Sequence, residues 1–266
     1  MVHNNVQEMN ETRVPGQQSV RRAIDVLFCF GPDSRALSAA EVAARLSMNR
    51  TTAWRYLQTL ATSGLVRDVG EGRFGLGART VSLAEAYTSQ WGELEAVAGA
   101  ALVRLRDQVG ETAALHLRQG WSRVVLRQVE SHHELHRTYR ELGQPISLLT
   151  GAPSLVILAA LPERECADYL DAHAPIASER LRVQEELDRI RSAGYARSRG
   201  SRVAGVASVA AAVRDRRGEV IAAVNVTGPE GRLPDRALDD VAGEVTAAAA
   251  WIEAHLETVV ARALPT

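Results

Sequence analysis

Between Ser38 and Gly64 the chain carries two short helical patterns separated by only three residues, Ser47-Met48-Asn49. Amphipathic segments joined that tightly form a helix-turn-helix. Ser38 is placed to cap the first of them, and Glu41, three residues on, completes a capping box. Val42, Ala43 and Leu46 make its core face. The second runs from about Arg50 to Ser63 and stops at Gly64. Its buried stripe is Ala53, Tyr56, Leu57 and Leu60, at the i, i+3, i+4, i+7 spacing. Leu65-Val66-Arg67-Asp68 and Arg73-Phe74-Gly75-Leu76 flank Gly70-Glu71-Gly72, which predicts a hairpin, so the motif reads as winged. A preceding amphipathic helix is expected to open at Ser19, to carry Val20, Ile24, Leu27 and Phe28 on its apolar side, and to stop at Gly31-Pro32.

Charge separates this first third from the rest. Residues 19–82 hold nine arginines against five acids, a net of +4, on a chain whose formal net charge is −1. Every lysine-type role falls to arginine, since the sequence has no lysine. A basic module on an acidic remainder points to a polyanion as partner of the first module. A major groove admits one helix, and base edges are read from its outer face. Here that face is Thr51, Trp54, Arg55 and Gln58, preceded by Asn49, Arg50 and Thr52. Arg50 and Arg55 suit phosphate or guanine, Thr51 and Thr52 phosphate or a thymine methyl, and Gln58 an adenine edge. Trp54 is either a base or sugar contact or packs on the wing or a neighbouring domain. Arg67 and Arg73 lie beside the expected DNA backbone, or are simply solvated hairpin charges.

The expected domains are a flexible tail over 1–18, the winged helix-turn-helix over 19–80, a linker helix over 81–92 and a second domain over 93–260. Within the linker, the helix proper is expected over Leu83–Trp91. The second domain opens with a helix over Glu93–Val109 ended by Gly110. Strands follow over 113–117 and 123–129, an apolar helix opens at Gly151-Ala152-Pro153, and further helices span 163–172 and 179–193, the second stopped by Gly194. Two strands, 205–212 and 219–227, then lead to a closing helix from Leu233 to His255 and beyond. The pattern predicts an α+β fold with the helices grouped on one side of the sheet. The uncharged run 142–162 is interrupted by Gly143, Pro145, Gly151 and Pro153, so it reads as turn, strand and helix rather than a membrane span. No signal peptide is visible, and the expectation is a cytoplasmic protein.

The segments Leu37-Ser-Ala-Ala-Glu-Val-Ala-Ala-Arg-Leu46 and Asn49-Arg-Thr-Thr-Ala-Trp-Arg-Tyr-Leu57 resemble the IclR family of bacterial transcription regulators. So do Gly194-Tyr195-Ala196, Gly205-Val206, Val213-Arg214-Asp215, Gly218-Glu219-Val220 and Asn225-Val226-Thr227-Gly228-Pro229. The resemblance runs from Ser19 to about Leu256. It implies an α+β architecture of an N-terminal winged helix-turn-helix and a GAF-like effector-binding domain with a mainly antiparallel sheet. It also implies homodimers or tetramers on palindromic double-stranded operator DNA, and repression or activation under the control of a small-molecule effector, an organic acid among the candidates. By the same resemblance the effector pocket falls on Ala152, Pro153, Ser198, Ser208, Asn225 and Thr227. Asn225 and Thr227, two apart in a strand, share a face; the alternative is that they satisfy a turn at Gly228-Pro229. The sequence departs from the family pattern in having Ser154-Leu155-Val156 for Gly-Lys-Ala, Ser208 for a frequent cysteine and Ala212 for a frequent proline. An acidic residue common near 198–201 is replaced by surroundings of Arg197, Arg199 and Arg202.

Other functions find little support. His132, His133 and His136 lack the spacing of a zinc-protease helix and sit among charges, which favours a solvated segment. Cys29 lies among Leu27, Phe28 and Phe30 as a small core residue, and Cys166 has no histidine placed to activate it. There is no nucleophile elbow, phosphate loop or dinucleotide fingerprint. No catalytic residue, metal or cofactor is therefore expected, and no membrane partner. An oligomeric protein-interaction module is the alternative to a DNA reader, and the exposed charges on the third helix argue against it.

Overall fold

The computed structural model describes residues 17–31, 33–140 and 142–256. The chain divides into two compact units, residues 1–90 and 91–266. Residues 1–16 of the expected tail, and the part of the closing helix expected beyond 256, lie outside the described residues.

The first unit comprises α1 (Gln17–Leu27), β1 (Ala36–Ser38), α2 (Ala39–Arg45), α3 (Arg50–Thr62), β2 (Val66–Gly70), β3 (Arg73–Leu76) and α4 (Arg79–Ser89). The capping box is present: the Ser38 hydroxyl accepts from the Glu41 N–H, and the Glu41 carboxylate accepts from the Ser38 N–H at 2.7 Å. Those bonds to Ser38, helped by Arg73, hold the Glu41 carboxyl at about 2. Val42, Ala53, Leu57 and Leu60 close on Val26, Phe30, Leu37, Val66 and Phe74 to form the core, with Leu46 and Tyr56 only partly buried at its edge. The wing is a three-stranded antiparallel sheet in the order β1-β3-β2, Leu37 standing opposite Phe74. Three residues are too few to show alternation, which is why the sequence does not reveal β1.

Two expectations change here. Ser19 lies inside α1, which begins two residues before the expected start. On the apolar side of α1, Val20 is 62%, Ile24 46% and Phe28 79% exposed. Helix α1 meets α3 through Val26, and the stripe one face away is left outward. The linker helix spans 79–89, starting four residues before the expected Leu83 and ending two before Trp91.

The second unit comprises α5 (Gly92–Val109), β4 (Thr112–Gln119), β5 (Ser122–Val129), β6 (Ile146–Ser147), α6 (Ala152–Ala160), α7 (Glu163–His173), α8 (Ala177–Ala193), β7 (Ala196–Arg199), β8 (Val206–Arg214), β9 (Val220–Pro229) and α9 (Asp235–His255). Gly110 and Gly194 end α5 and α8 in the left-handed conformation, where glycine carries no Cβ penalty. The six strands pair antiparallel in the order β6-β5-β4-β9-β8-β7. Helices cover both faces rather than one. On one face α6 lies on β8 and β9, and Ala210 and Ala223 join the α6–α8 core. On the other, α5 contacts β4, β5 and β9, with Gly99 against Arg127, whose strand partner is Leu115. The reason is visible in β9, buried along nine of its ten residues: a strand that apolar on both sides needs cover on both. The uncharged run 142–162 resolves into β6, a loop and the nine-residue α6. Among the described residues no helix is long and apolar enough to cross a membrane.

The join between wing and α4 depends on Gly77. A Cβ there would lie 2.1 Å from the Gly64 carbonyl oxygen, a contact with backbone that no rotamer relieves. Gly77→Ala is expected to destabilise the first unit by about 2 kcal/mol, read as a lower urea midpoint for that unit with the second unit's transition unmoved.

Candidate functional site

Two surfaces carry chemistry, one in each unit. In the first, α3 contains no acidic residue, and its side chains at 50, 51, 54 and 55 are exposed. Trp54 is half exposed, and Gln58 and Thr52 are partly buried beside it. The structure therefore brings Arg50, Thr51, Trp54, Arg55 and Gln58 onto one outward strip, with Thr52 at its border. Asn49 does a different job. It is the N-cap of α3, its Oδ1 accepting from the Thr52 N–H at 2.7 Å. Such a cap is worth about 1 kcal/mol and fixes where the helix starts. In the wing, Arg67 is exposed, and Arg73, half-buried, donates to the Ala36 carbonyl at 2.7 Å and to Glu41 at 3.2 Å. Arg73 thus braces the hairpin against β1 and α2.

In the second unit a cavity opens over the α6 face of the sheet. Strand register aligns Ser198, Ser208, Thr227 and Thr112 as direct neighbours across β7, β8, β9 and β4. Above them the N-terminus of α6 begins at Gly151 (φ 87°), a left-handed position that turns the chain over the sheet. The Ala152 N–H donates to the Ser198 hydroxyl at 3.1 Å, tying that helix end to β7. Ala152, Pro153, Ser198, Ser208 and Thr227 all line the cavity. Asn225 does not; it lies fully buried beneath, hydrogen-bonded to Ser208 and Tyr139. Neither Asn225 nor Thr227 serves a turn. Thr227 donates to the Ala207 carbonyl across the strand pair, and Gly228-Pro229 continues β9.

Below the cavity is a polar cluster that sequence reasoning did not single out. Arg123, 1% exposed, donates from Nε to the Ser154 hydroxyl at 2.7 Å and contacts His116 Nδ1 through Nη1 at 2.6 Å. His116 Nε2 lies 2.8 Å from Asn225 Oδ1. Arginine has only donors, so Nδ1 must accept, and the ring hydrogen sits on Nε2 and donates to Asn225. Burial, and then the neighbouring Arg123 charge, push the His116 pKa well below its ordinary value, so the ring is neutral. The remaining lining includes Arg137, Tyr139, Ser201 and Arg202. Polar residues embedded in apolar strand sequence, Leu115-His116-Leu117 and Arg123-Val124-Val125, were the available signal.

The histidine segment is a loop, not a helix. His136 donates from Nδ1 to the His133 carbonyl at 2.6 Å and meets Glu130 at 3.3 Å. Among the described residues no three His, Cys, Asp or Glu side chains gather as a metal site. Cys29 is half-buried and Cys166 buried.

Comparison with known proteins covers both units. The family model for the IclR helix-turn-helix domain matches residues 19–70, and that for the bacterial transcriptional regulator IclR C-terminal region matches 87–254. The HTH-type transcriptional regulator Rv1719 of Mycobacterium tuberculosis is 31% identical over 86% of this chain and 89% of its own length. The transcriptional repressor IclR of Escherichia coli is 25% identical over 87% of each. A crystal structure of an IclR homolog from Microbacterium hydrocarbonoxydans, complexed with 4-hydroxybenzoate, superposes with a TM-score of 0.74 at 23% identity. The match covers 90% of this chain and 98% of that one.

Because the folded pKa of His116 is depressed, the unfolded chain takes up this proton first as pH falls. The stability it contributes is complete above the ordinary value of 6.5 and is lost on going below it. His136 has the opposite sign, its pKa raised chiefly by the His133 carbonyl, and its contribution is already complete below 6.5. Below 6.5 stability should therefore fall with pH, with a limiting slope of one proton, roughly 1.4 kcal/mol per pH unit. As pH is lowered from 6.5, urea midpoints should fall for the wild type and fall less for His116→Gln. Equal slopes would show that the histidine is not held neutral.

Proposed function

Since the chain belongs to the IclR family of bacterial transcriptional regulators, with a helix-turn-helix DNA-binding domain and a C-terminal effector-binding domain, we propose how its two units carry out that function. The strip Arg50, Thr51, Trp54, Arg55 and Gln58 enters the major groove. Arg67 follows the adjacent backbone. The observation that carries this reading is an acid-free helix face with its arginines and a half-exposed tryptophan turned to solvent, in a module of net +4. Asn49 sets the helix start, and Arg73 keeps the wing in place; both act on DNA binding through geometry.

The protein works as a homodimer on a palindromic operator, the two α3 helices reading half-sites whose centres lie about 34 Å or a multiple apart. The apolar stripe Val20-Ile24-Phe28 on α1 supports pairing, because an amphipathic helix gains its stability from covering such a face. Helix α4 adds to this: none of its eleven residues is buried, and Val81 and Leu83 are each more than half exposed. The effector is a small organic anion held in the cavity over the sheet, lined by three arginines. The bound acid named for the Microbacterium structure is consistent with that class. Effector binding shifts the balance between two arrangements of the protein by its differential affinity for them.

Arg50→Ala and Arg55→Ala should each weaken operator binding about tenfold, and loss of a phosphate contact should flatten the salt dependence by about one unit in log–log slope. Fluorescence anisotropy from 50 to 300 mM salt would test both, and unchanged affinity in both variants would remove α3 from the reading role. Ile24→Glu with Phe28→Glu should shift sedimentation toward the monomer and lose the preference for the full palindrome over a single half-site. A dimer that persists would place the pairing surface elsewhere.

A further inference from the structure

The cavity floor has a fixed hydrogen-bond direction, and it ends on one side chain whose hydrogen is left over. Arg123 donates to His116, and His116 donates to Asn225 Oδ1. The Asn225 amide nitrogen is thereby committed to giving both its hydrogens outward, one to Ser208 Oγ at 2.8 Å and one to Tyr139 Oη at 3.0 Å. Ser208 passes its own hydrogen to the Val226 carbonyl at 2.9 Å. Tyr139 already accepts from Asn225, and among the described residues no acceptor takes its phenolic hydrogen. Its ring is held edge-on to His116, centroids 5.1 Å apart, and the residue lines the cavity.

We infer that Tyr139 is a ligand-contacting donor set in that role by the Arg123–His116–Asn225 chain, and that it makes the cavity select small carboxylates over their uncharged amides. This rests on the reading of the cavity as the effector site and goes beyond it by naming the residue that discriminates and the chain that orients it. Ser198 is in the same condition as Tyr139: its oxygen accepts from the Ala152 N–H, which leaves its hydrogen to donate. Arg123, Arg137 and Arg202 have other partners and contribute as charge rather than as free donors. Among the described residues the lining holds no carboxylate. A ligand end that must accept from every side is a carboxylate; an amide would turn a hydrogen toward a donor. The room for water-sized molecules is about 40 Å³, enough for roughly three waters at about 10–15 Å³ each. The enclosed end of the ligand is therefore only a few atoms across.

Calorimetric titration of the full chain with two- to five-carbon monocarboxylates, 2-oxo acids and 4-hydroxybenzoate, each beside its primary amide, tests this. At least one acid should bind tenfold or more tightly than its amide. Tyr139→Phe keeps the ring on His116 and should weaken that acid about tenfold while leaving the amide unchanged. His116→Leu breaks the chain and should bring the acid-to-amide ratio toward one. His116→Gln, which can accept from Arg123 and donate to Asn225 in the same order, should restore it. If His116→Leu fails to fold, the tyrosine variant and the glutamine variant carry the test. Wild-type affinity in Tyr139→Phe, amides bound as well as acids, or no binding by any acid in the panel would each overturn the inference. Operator binding, measured on the same preparations, stands apart from all three results, so failure here is distinguishable from failure of the regulator's DNA-reading role.

Discussion

Strands β8 and β9 have helices against both faces, and β4 has α5 on one face and the Tyr139 loop on the other; that double cover governs the second unit. A polar side chain on such a strand has no water to fall back on, and each unmade hydrogen bond costs about 1–3 kcal/mol. His116, Asn225, Ser208, Thr227 and Thr112 are all at most 6% exposed, and each has a protein partner. Satisfying them within one sheet forces a single order of donors and acceptors. The cavity sits where that order reaches the sheet end nearest α6, so its chemistry is a by-product of how the strands were made whole. Burial and polarity, usually opposed, here cooperate.

In the first unit the governing feature is smaller. Ser38 and Asn49 each start a helix by giving a side-chain oxygen to a backbone N–H, and only four residues lie between α2 and α3. The placement of the α3 face follows from those two bonds together with the Leu57 and Leu60 contacts that hold its other side. The arginines outside the strip are used differently: Arg45 donates to the Cys29 carbonyl and the Ser34 hydroxyl, and Arg73 to Ala36 and Glu41. A net positive charge alone does not distinguish those braces from the residues left outward.

The helices of this chain were legible because their signals are local. Capping residues, terminal glycines and 3.6-residue spacing placed α2, α3, α5, α7 and α8 to within a few residues. Two short strands were not: β1 and β7 have three and four residues and are defined by partners far away in sequence. The same distance separates the cavity residues. Ala152, Pro153, Ser198, Ser208 and Thr227 were reached through family resemblance, and the structure gathers them. Arg123 and His116 sit on neighbouring strands seven positions apart in sequence, and nothing local marks them as partners. For the apolar stripe of α1, periodicity reports that a face needs covering without saying what covers it.

The hairpin of the first unit is bolted to the rest at three points: β3 pairs with β1, Arg73 reaches α2, and Gly77 fits flush on the Gly64 carbonyl. With so little slack, α3 and the wing move as one rigid block under any torque delivered through α4. In the dimer proposed above, a bound effector would act on the spacing of two such blocks rather than on the face that each presents.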